Sequence, residues 1–185
     1  MRVSTQERKA EVLRVAAELF SEQGFAATGV REIAAAASVD PALVIRYFGS
    51  KESLFLKAMT LPPMVLETLS GDVDGLGERL VDLMVTYMRD EPGTRRRGVF
   101  AALIRASDRP RVKEYFRETL EELVVARLVP QLAGGDAQLR ARLVAAQLNG
   151  LLTALFLIED EVLLEAPTAS IVAIYGRSMQ SLIDG

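Results

Sequence analysis

The stretch from Thr28 to Lys57, TGVREIAAAASVDPALVIRYFGSKESLFLK, constrains the fold more than any other part of the chain. Val30, Ile33, Ala34 and Ala37 recur at i, i+3, i+4 and i+7, the spacing of one buried helical face. Ser38-Val39-Asp40-Pro41 interrupts that helix. Asp40 can cap a second one by accepting from its free amides, and Pro41 fits the first helical position, where no donor is needed. The second helix reaches about Phe48, with Val44 and Phe48 on its inner face. Gly49 suits a left-handed stop, and Ser50 reads as the cap of a third helix from Lys51. Two short helices around a four-residue turn make a helix-turn-helix, whose second helix lies in the DNA major groove.

The flanking residues narrow the reading. ELFSEQGF, then T-x-V-R-E-I-A, then V-x-x-x-x-V-x-x-Y-F-x-S-K-E-x-L, resembles the tetracycline-repressor (TetR) family from about Val12 to Phe55 without gaps. The chain departs from that pattern at four places. Gly29 stands where a Ser or Thr usually caps the first helix of the motif, and Ser38 replaces a turn glycine. Ala42 sits where many members have glycine, and Ile45 replaces a common tyrosine, which removes one phosphate contact.

The resemblance implies an all-α protein: residues 1–60 a three-helix DNA-binding domain, residues 61–185 a helical effector-binding and dimerisation domain, about nine helices in all. It also implies a DNA interface of Thr28, Arg31, Pro41, Ala42, Leu43, Arg46, Tyr47 and Lys51. Val44 and Phe48 face inward, which turns Ala42, Leu43 and Arg46 towards the groove. Arg46 is the one side chain of that set able to make a bidentate hydrogen bond to guanine. Ala42 and Leu43 offer apolar contact, for instance to thymine methyls. Tyr47, Thr28 and Arg31 are placed at phosphates by family position. So is Lys51, at a helix N-terminus that itself favours anions.

Charge is compatible with this without supporting it. The net −3 divides into eight Lys/Arg against seven Asp/Glu in residues 1–57, and fourteen against eighteen in the remainder. What DNA binding needs is cations at phosphate-facing positions, not a basic average. The absence of cysteine and histidine excludes disulfides, thiol catalysis, Cys/His zinc sites and imidazole acid–base chemistry. The first thirty residues show an amphipathic charged pattern rather than a signal peptide, so cytoplasm is the expected location.

Ser4-x-x-Glu7 is a capping box opening helix 1, whose stripe of Val12, Leu13, Ala16, Leu19 and Phe20 is buried and which Gly24 ends. Arg2, Arg8 and Lys9 near its start are solvated or reach a DNA backbone. Leu61-Pro62-Pro63 stops the helix from Lys51, and the domain boundary is placed there. Ser70 to Gly77 lacks the Lys-Ser/Thr ending of a phosphate loop and reads as a connection. Glu78 to Arg89 is helical and Glu91-Pro92-Gly93 breaks it. Arg95-Arg96-Arg97 opens another helix as a solvated face, and a further one runs from Pro110 to about Leu132. Asp136 is expected to cap the longest apolar segment. LVAAQLNGLLTALFLI, from Leu143 to Ile158, is shorter than the ~20 residues of a membrane span. The last helix opens at Pro167 and presents Ile171, Ile174, Tyr175, Ser178, Met179 and Leu182 on one face.

Apolar surface on these two helices exceeds what one small core covers, which calls for a partner surface. The resemblance names that partner as a second copy. A two-fold dimer would set two recognition helices in successive major grooves, ~34 Å apart, over a palindromic operator. The family also implies a small effector, and Met59, Met64, Met84, Met88, Tyr87, Phe100, Tyr115 and Phe116 are the side chains suited to an apolar cavity for it or to plain core. No single ligand contact, no cofactor and no metal ligand is assigned. Two other classes compete. An enzyme would depend on carboxylates such as Glu159, Asp160 and Glu161, and a helical protein–protein adaptor would show no salt-steep DNA binding.

Overall fold

The computed structural model of the chain describes residues 4–58, 64–69, 71–89 and 93–185, without the side chains of residues 64–66, 88 and 93–97. The proline breaks at 61–63 and 91–92, Arg2, the Arg95–Arg97 cluster and the side chains of Met59, Met64 and Met88 therefore lie outside the described residues. Every described element is helical and none is a strand. Among the described residues eleven continuous helices result when runs joined by π or 3-10 turns count as one. Among the described residues no helix is long and apolar enough to cross a membrane.

Two compact units divide the chain, and the division is not linear. Met1–Leu61 clusters with Arg95–Tyr115, and Pro62–Thr94 with Phe116–Gly185. A single boundary near residue 61 thus leaves out the return of residues 95–115 to the first unit.

In the first unit, α1 (Thr5–Ala27) opens on the expected box. Glu7 N–H donates to Ser4 Oγ at 3.1 Å, and Ser4 N–H to the Glu7 carboxylate at 2.6 Å. Gly24, at φ 79°, breaks its regular helical path near the end. α2 (Val30–Ala36), α3 (Pro41–Phe48) and α4 (Lys51–Ala58) follow, and α7 (Gly93–Arg105) and the start of α8 (Pro110–Leu120) complete the unit. Its core is Val12, Ala16, Phe20, Ile33, Val44, Leu54 and Phe55, all essentially inaccessible. Phe55 meets Phe20 and Phe25 edge-on, with centroids 5.0 and 5.1 Å away, the favoured geometry for aromatic pairs.

The second unit holds α5 (Met64–Leu69), α6 (Leu76–Arg89) and the end of the α8 rod, which passes through a π-helical turn (Glu121–Val125) into α9 (Ala126–Leu128). It also holds α10 (Ala137–Phe156), α11 (Glu161–Glu165) and a last rod. That rod is α12 (Thr168–Ile171), a π-helical turn (Val172–Gly176) and α13 (Arg177–Asp184). α6 crosses it at Gly77 and Gly176. A Cβ on Gly77 would stand 2.4 Å from the Gly176 carbonyl oxygen, and one on Gly176 would stand 2.7 Å from Glu78 Cα. Only glycine permits that approach.

Two expectations fail here for physical reasons. Asp136 makes no side-chain cap on α10; its carboxylate takes Arg140 Nε at 3.0 Å instead. In the last rod the buried residues are Ile171, Gly176, Met179 and Ile183, while Ile174 is 70% exposed. The wider π turn carries one extra residue, so Gly176 and Ile183 are buried one position after Tyr175 and Leu182, while Met179 keeps the place regular spacing gives it.

A candidate nucleic-acid interface

The recognition helix is fixed before its outer face is considered. Asp40 Oδ1 accepts from Ala42 N–H at 2.7 Å and Pro41 occupies the first turn. Ser38 adopts φ 54° in the turn, which glycine would take without strain. Gly49, at φ 84°, closes α3, and Ser50 Oγ accepts from Ser53 N–H at 3.0 Å to open α4. Val44 and Phe48, 1% and 7% exposed, anchor the inner side.

The opposite side is then open. Pro41, Ala42, Ile45 and Arg46 are exposed, and Leu43 is half-buried. Ile45 thus belongs to the outer face more fully than Leu43, which the spacing from Val44 alone did not rank. Arg46 carries the one charge among these side chains.

Tyr47, half-buried, forms the flank. Lys9 Nζ of α1 stands 5.4 Å and Arg46 Cζ 5.7 Å from its ring centroid, within cation–π range. Lys9 therefore joins the recognition helix in space. Arg31, near the start of α2, is exposed.

Thr28 is a correction. It is fully buried, and its hydroxyl donates to the carbonyls of Gly24, at 2.9 Å, and Leu19, at 3.2 Å. Such a side chain has no surface to give a phosphate; it ties the end of α1 back onto that helix. The α2 N-terminus is served by Glu32, which accepts from Gly29 N–H at 3.3 Å and from Gln23 Nε2 at 2.9 Å. These bonds, that from Gln23 foremost, hold the Glu32 carboxyl below the usual range.

Lys51 begins α4 with its Nζ 4.3 Å from the Phe25 ring centroid. Burial, and then the charge of Arg109, holds its ammonium below the usual lysine range. Arg109 lies between α7 and α8, its Cζ 4.2 Å from the same ring and its guanidinium 3.8 Å from Glu52. No local pattern marks Arg109 as a neighbour of Lys51, because the chain returns to this unit only after a long excursion.

The side chains suited to an effector cavity do not fall in one unit. Phe100, which is buried, and Tyr115 belong to the first, whereas Met84, Tyr87 and Phe116, all half-buried, belong to the second. Among the carboxylates after α10, Asp160 acts locally. Its Oδ1 caps α11 by accepting from Leu163 N–H at 3.0 Å.

Two family models match the chain. "Bacterial regulatory proteins, tetR family" covers residues 12–58, and "Tetracyclin repressor-like, C-terminal domain" covers residues 74–183. An HTH-type transcriptional repressor of Mycobacterium tuberculosis is 44% identical over 54 residues, 29% of this chain and 29% of that protein. The matched segment thus spans under a third of that relative. A crystal structure of a TetR-family regulator from Streptomyces coelicolor is 32% identical, with a TM-score of 0.64, covering 98% of this chain and 97% of the other. NalD, described as the secondary repressor of the MexAB-OprM multidrug efflux pump in Pseudomonas aeruginosa, shares the fold. It has a TM-score of 0.71 at 20% identity, over 97% of both chains.

Proposed function

The chain belongs to the TetR family of bacterial transcriptional regulators, and on that footing we propose that it binds a palindromic operator as a homodimer and represses transcription until a small apolar effector releases it. The single observation that carries the DNA-binding part is α3. It is capped by Asp40, anchored by Val44 and Phe48, and opens Ala42, Ile45 and Arg46 to solvent. Arg46 reads a guanine, the apolar pair contacts thymine methyls, and Arg31, Pro41, Tyr47 and Lys51 hold the backbone. Repression is the direction named for the mycobacterial relative and for NalD. The protein works in the cytoplasm, where the operator is, and of the carboxylates after α10 Asp160 serves as the cap of α11.

The experiment is selection of genomic DNA fragments by the purified protein, followed by a salt titration on the enriched sequence. An inverted repeat bound with a steep salt dependence is expected. Binding to no fragment at moderate salt would favour the adaptor reading instead.

A further inference from the structure

Two cations share one aromatic ring in the first unit. Lys51 Nζ and Arg109 Cζ stand 4.3 and 4.2 Å from the centroid of Phe25. Among the described residues the one ion pair made by either is that of Arg109 with Glu52, at a long 3.8 Å. The cluster of Lys51, Arg109 and Glu52 thus carries one positive charge in excess. Its members remain reachable: the Arg109 side chain is 39% and that of Glu52 33% exposed, and Lys51 is half-buried.

The arrangement is also held in place. Arg109 N–H donates to the Ala106 carbonyl at 3.0 Å, and the Arg109 carbonyl accepts from Lys113 N–H at 2.9 Å, so the turn that carries the guanidinium is fixed at both ends. Phe25 is held by Phe55 beneath it. The charge of Arg109 already acts against the Lys51 ammonium, and bound anions would offset it while gaining charge-assisted contacts with the cations they reach. The N-terminus of α4, where Lys51 stands, adds to the same potential.

We propose that Arg109 and Lys51 together grip the DNA backbone, so that the interface includes a turn outside residues 12–58. The inference rests on the DNA-binding reading above and adds a residue to it. Arg109 contributes affinity without sequence preference, since a guanidinium on phosphate reads no base.

The test uses the full chain in fluorescence anisotropy over a series of salt concentrations, with a random-sequence duplex and with the fragment enriched by the wild-type protein. Arg109→Met keeps an unbranched stem against Phe25 and removes the charge; Arg109→Lys keeps the charge. Thermal melting monitors the fold of each. Arg109→Met is expected to weaken both duplexes by a similar factor and to lower the salt slope by about one per subunit. Arg109→Lys is expected to retain the wild-type slope. In a Lys51→Ala background Arg109→Met should still remove its own unit of slope. An Arg109→Met slope equal to wild type, whether or not affinity falls, would overturn the pairing, because Arg109 would then only pack. A wild-type protein that bound neither duplex would overturn the DNA-binding reading and this pairing with it.

Discussion

Glu32 makes the reciprocal half of a cap at the start of α2, while Gly29, with no side chain, leaves the first α2 amides without a side-chain acceptor. Its carboxylate accepts the Gly29 amide and is held by Gln23, and both bonds favour the ionised form. A carboxyl with a depressed folded-state pKa stabilises the fold fully above its unfolded value, near 4.5, and loses that contribution as pH falls through the lower folded value. Glu32→Gln should therefore melt below wild type at neutral pH, with the gap closing in acid. A gap constant from neutral to acid pH would show that charge is not what caps α2. The neighbouring Thr28 is spent on the carbonyls of Gly24 and Leu19, and base reading rests on the outer face of α3, where Arg46 carries the one charge. Arg46→Ala is expected to cost ~1–3 kcal/mol on the operator and to relax preference at one base pair in each half-site. This is read by repeating fragment selection with the variant. An unchanged preferred sequence with uniformly weaker binding would make Arg46 a phosphate contact and leave reading to Ala42, Ile45 and DNA shape.

Arg140 decides how the last rod ends. It is buried in α10, and its Nη1 donates to the carbonyls of Leu182 at 3.1 Å and Ile183 at 2.8 Å. Its other nitrogens reach Asp136 and the Ala133 carbonyl. α13 thus has its terminal carbonyls satisfied by a different helix. Arg140→Met fills similar space but strands those carbonyls, and should cost roughly 2–4 kcal/mol in urea unfolding. Arg140→Lys should recover little, since one ammonium cannot replace the fork. Interactions of this kind mark what the sequence could disclose. Ser4, Asp40, Gly49 and Ser50 were legible as caps and stops because each acts within three residues of itself. The inner face of α3 was legible because its helix is regular. The phase of the last rod was not, because the π turn at 172–176, which ends at the Gly77–Gly176 crossing, shifts it and regular spacing carries no sign of such a turn. Arg109 stayed silent because its partners, Phe25 and Glu52, are brought to it by packing, and Asp136 misled because a local i,i+4 bond to Arg140 took the place of a cap.

At the scale of the molecule, the open question is what covers α10. Leu139, Leu143, Ala146 and Gly150 are exposed and Ala154 half-buried, at intervals that keep them on one stripe. Leu139 is 60% and Leu143 42% exposed, and a Cβ on Gly150 would meet nothing within 4 Å. Two large apolar side chains followed by three small residues suit a second helix packed closely against the small end. Ile174, turned outward by the π turn, adds apolar surface in the same unit. These positions distinguish assembly from folding. A charge at Leu143 or Ile174 enters a surface already open in the single chain, so it should leave the fold intact and oppose the partner. Light scattering of Ile174→Glu and Leu143→Glu is expected to fall from about twice the 20.2 kDa chain mass to that mass, with helical content unchanged. Leu148→Glu places the charge on a 6% exposed position of the same helix and should unfold it. Separated subunits would each hold one half-site, so operator affinity should drop steeply while non-specific binding per chain persists. Variants at Leu143 and Ile174 that stayed at twice the chain mass would place the partner surface elsewhere, and the coupling of two recognition helices would need another origin.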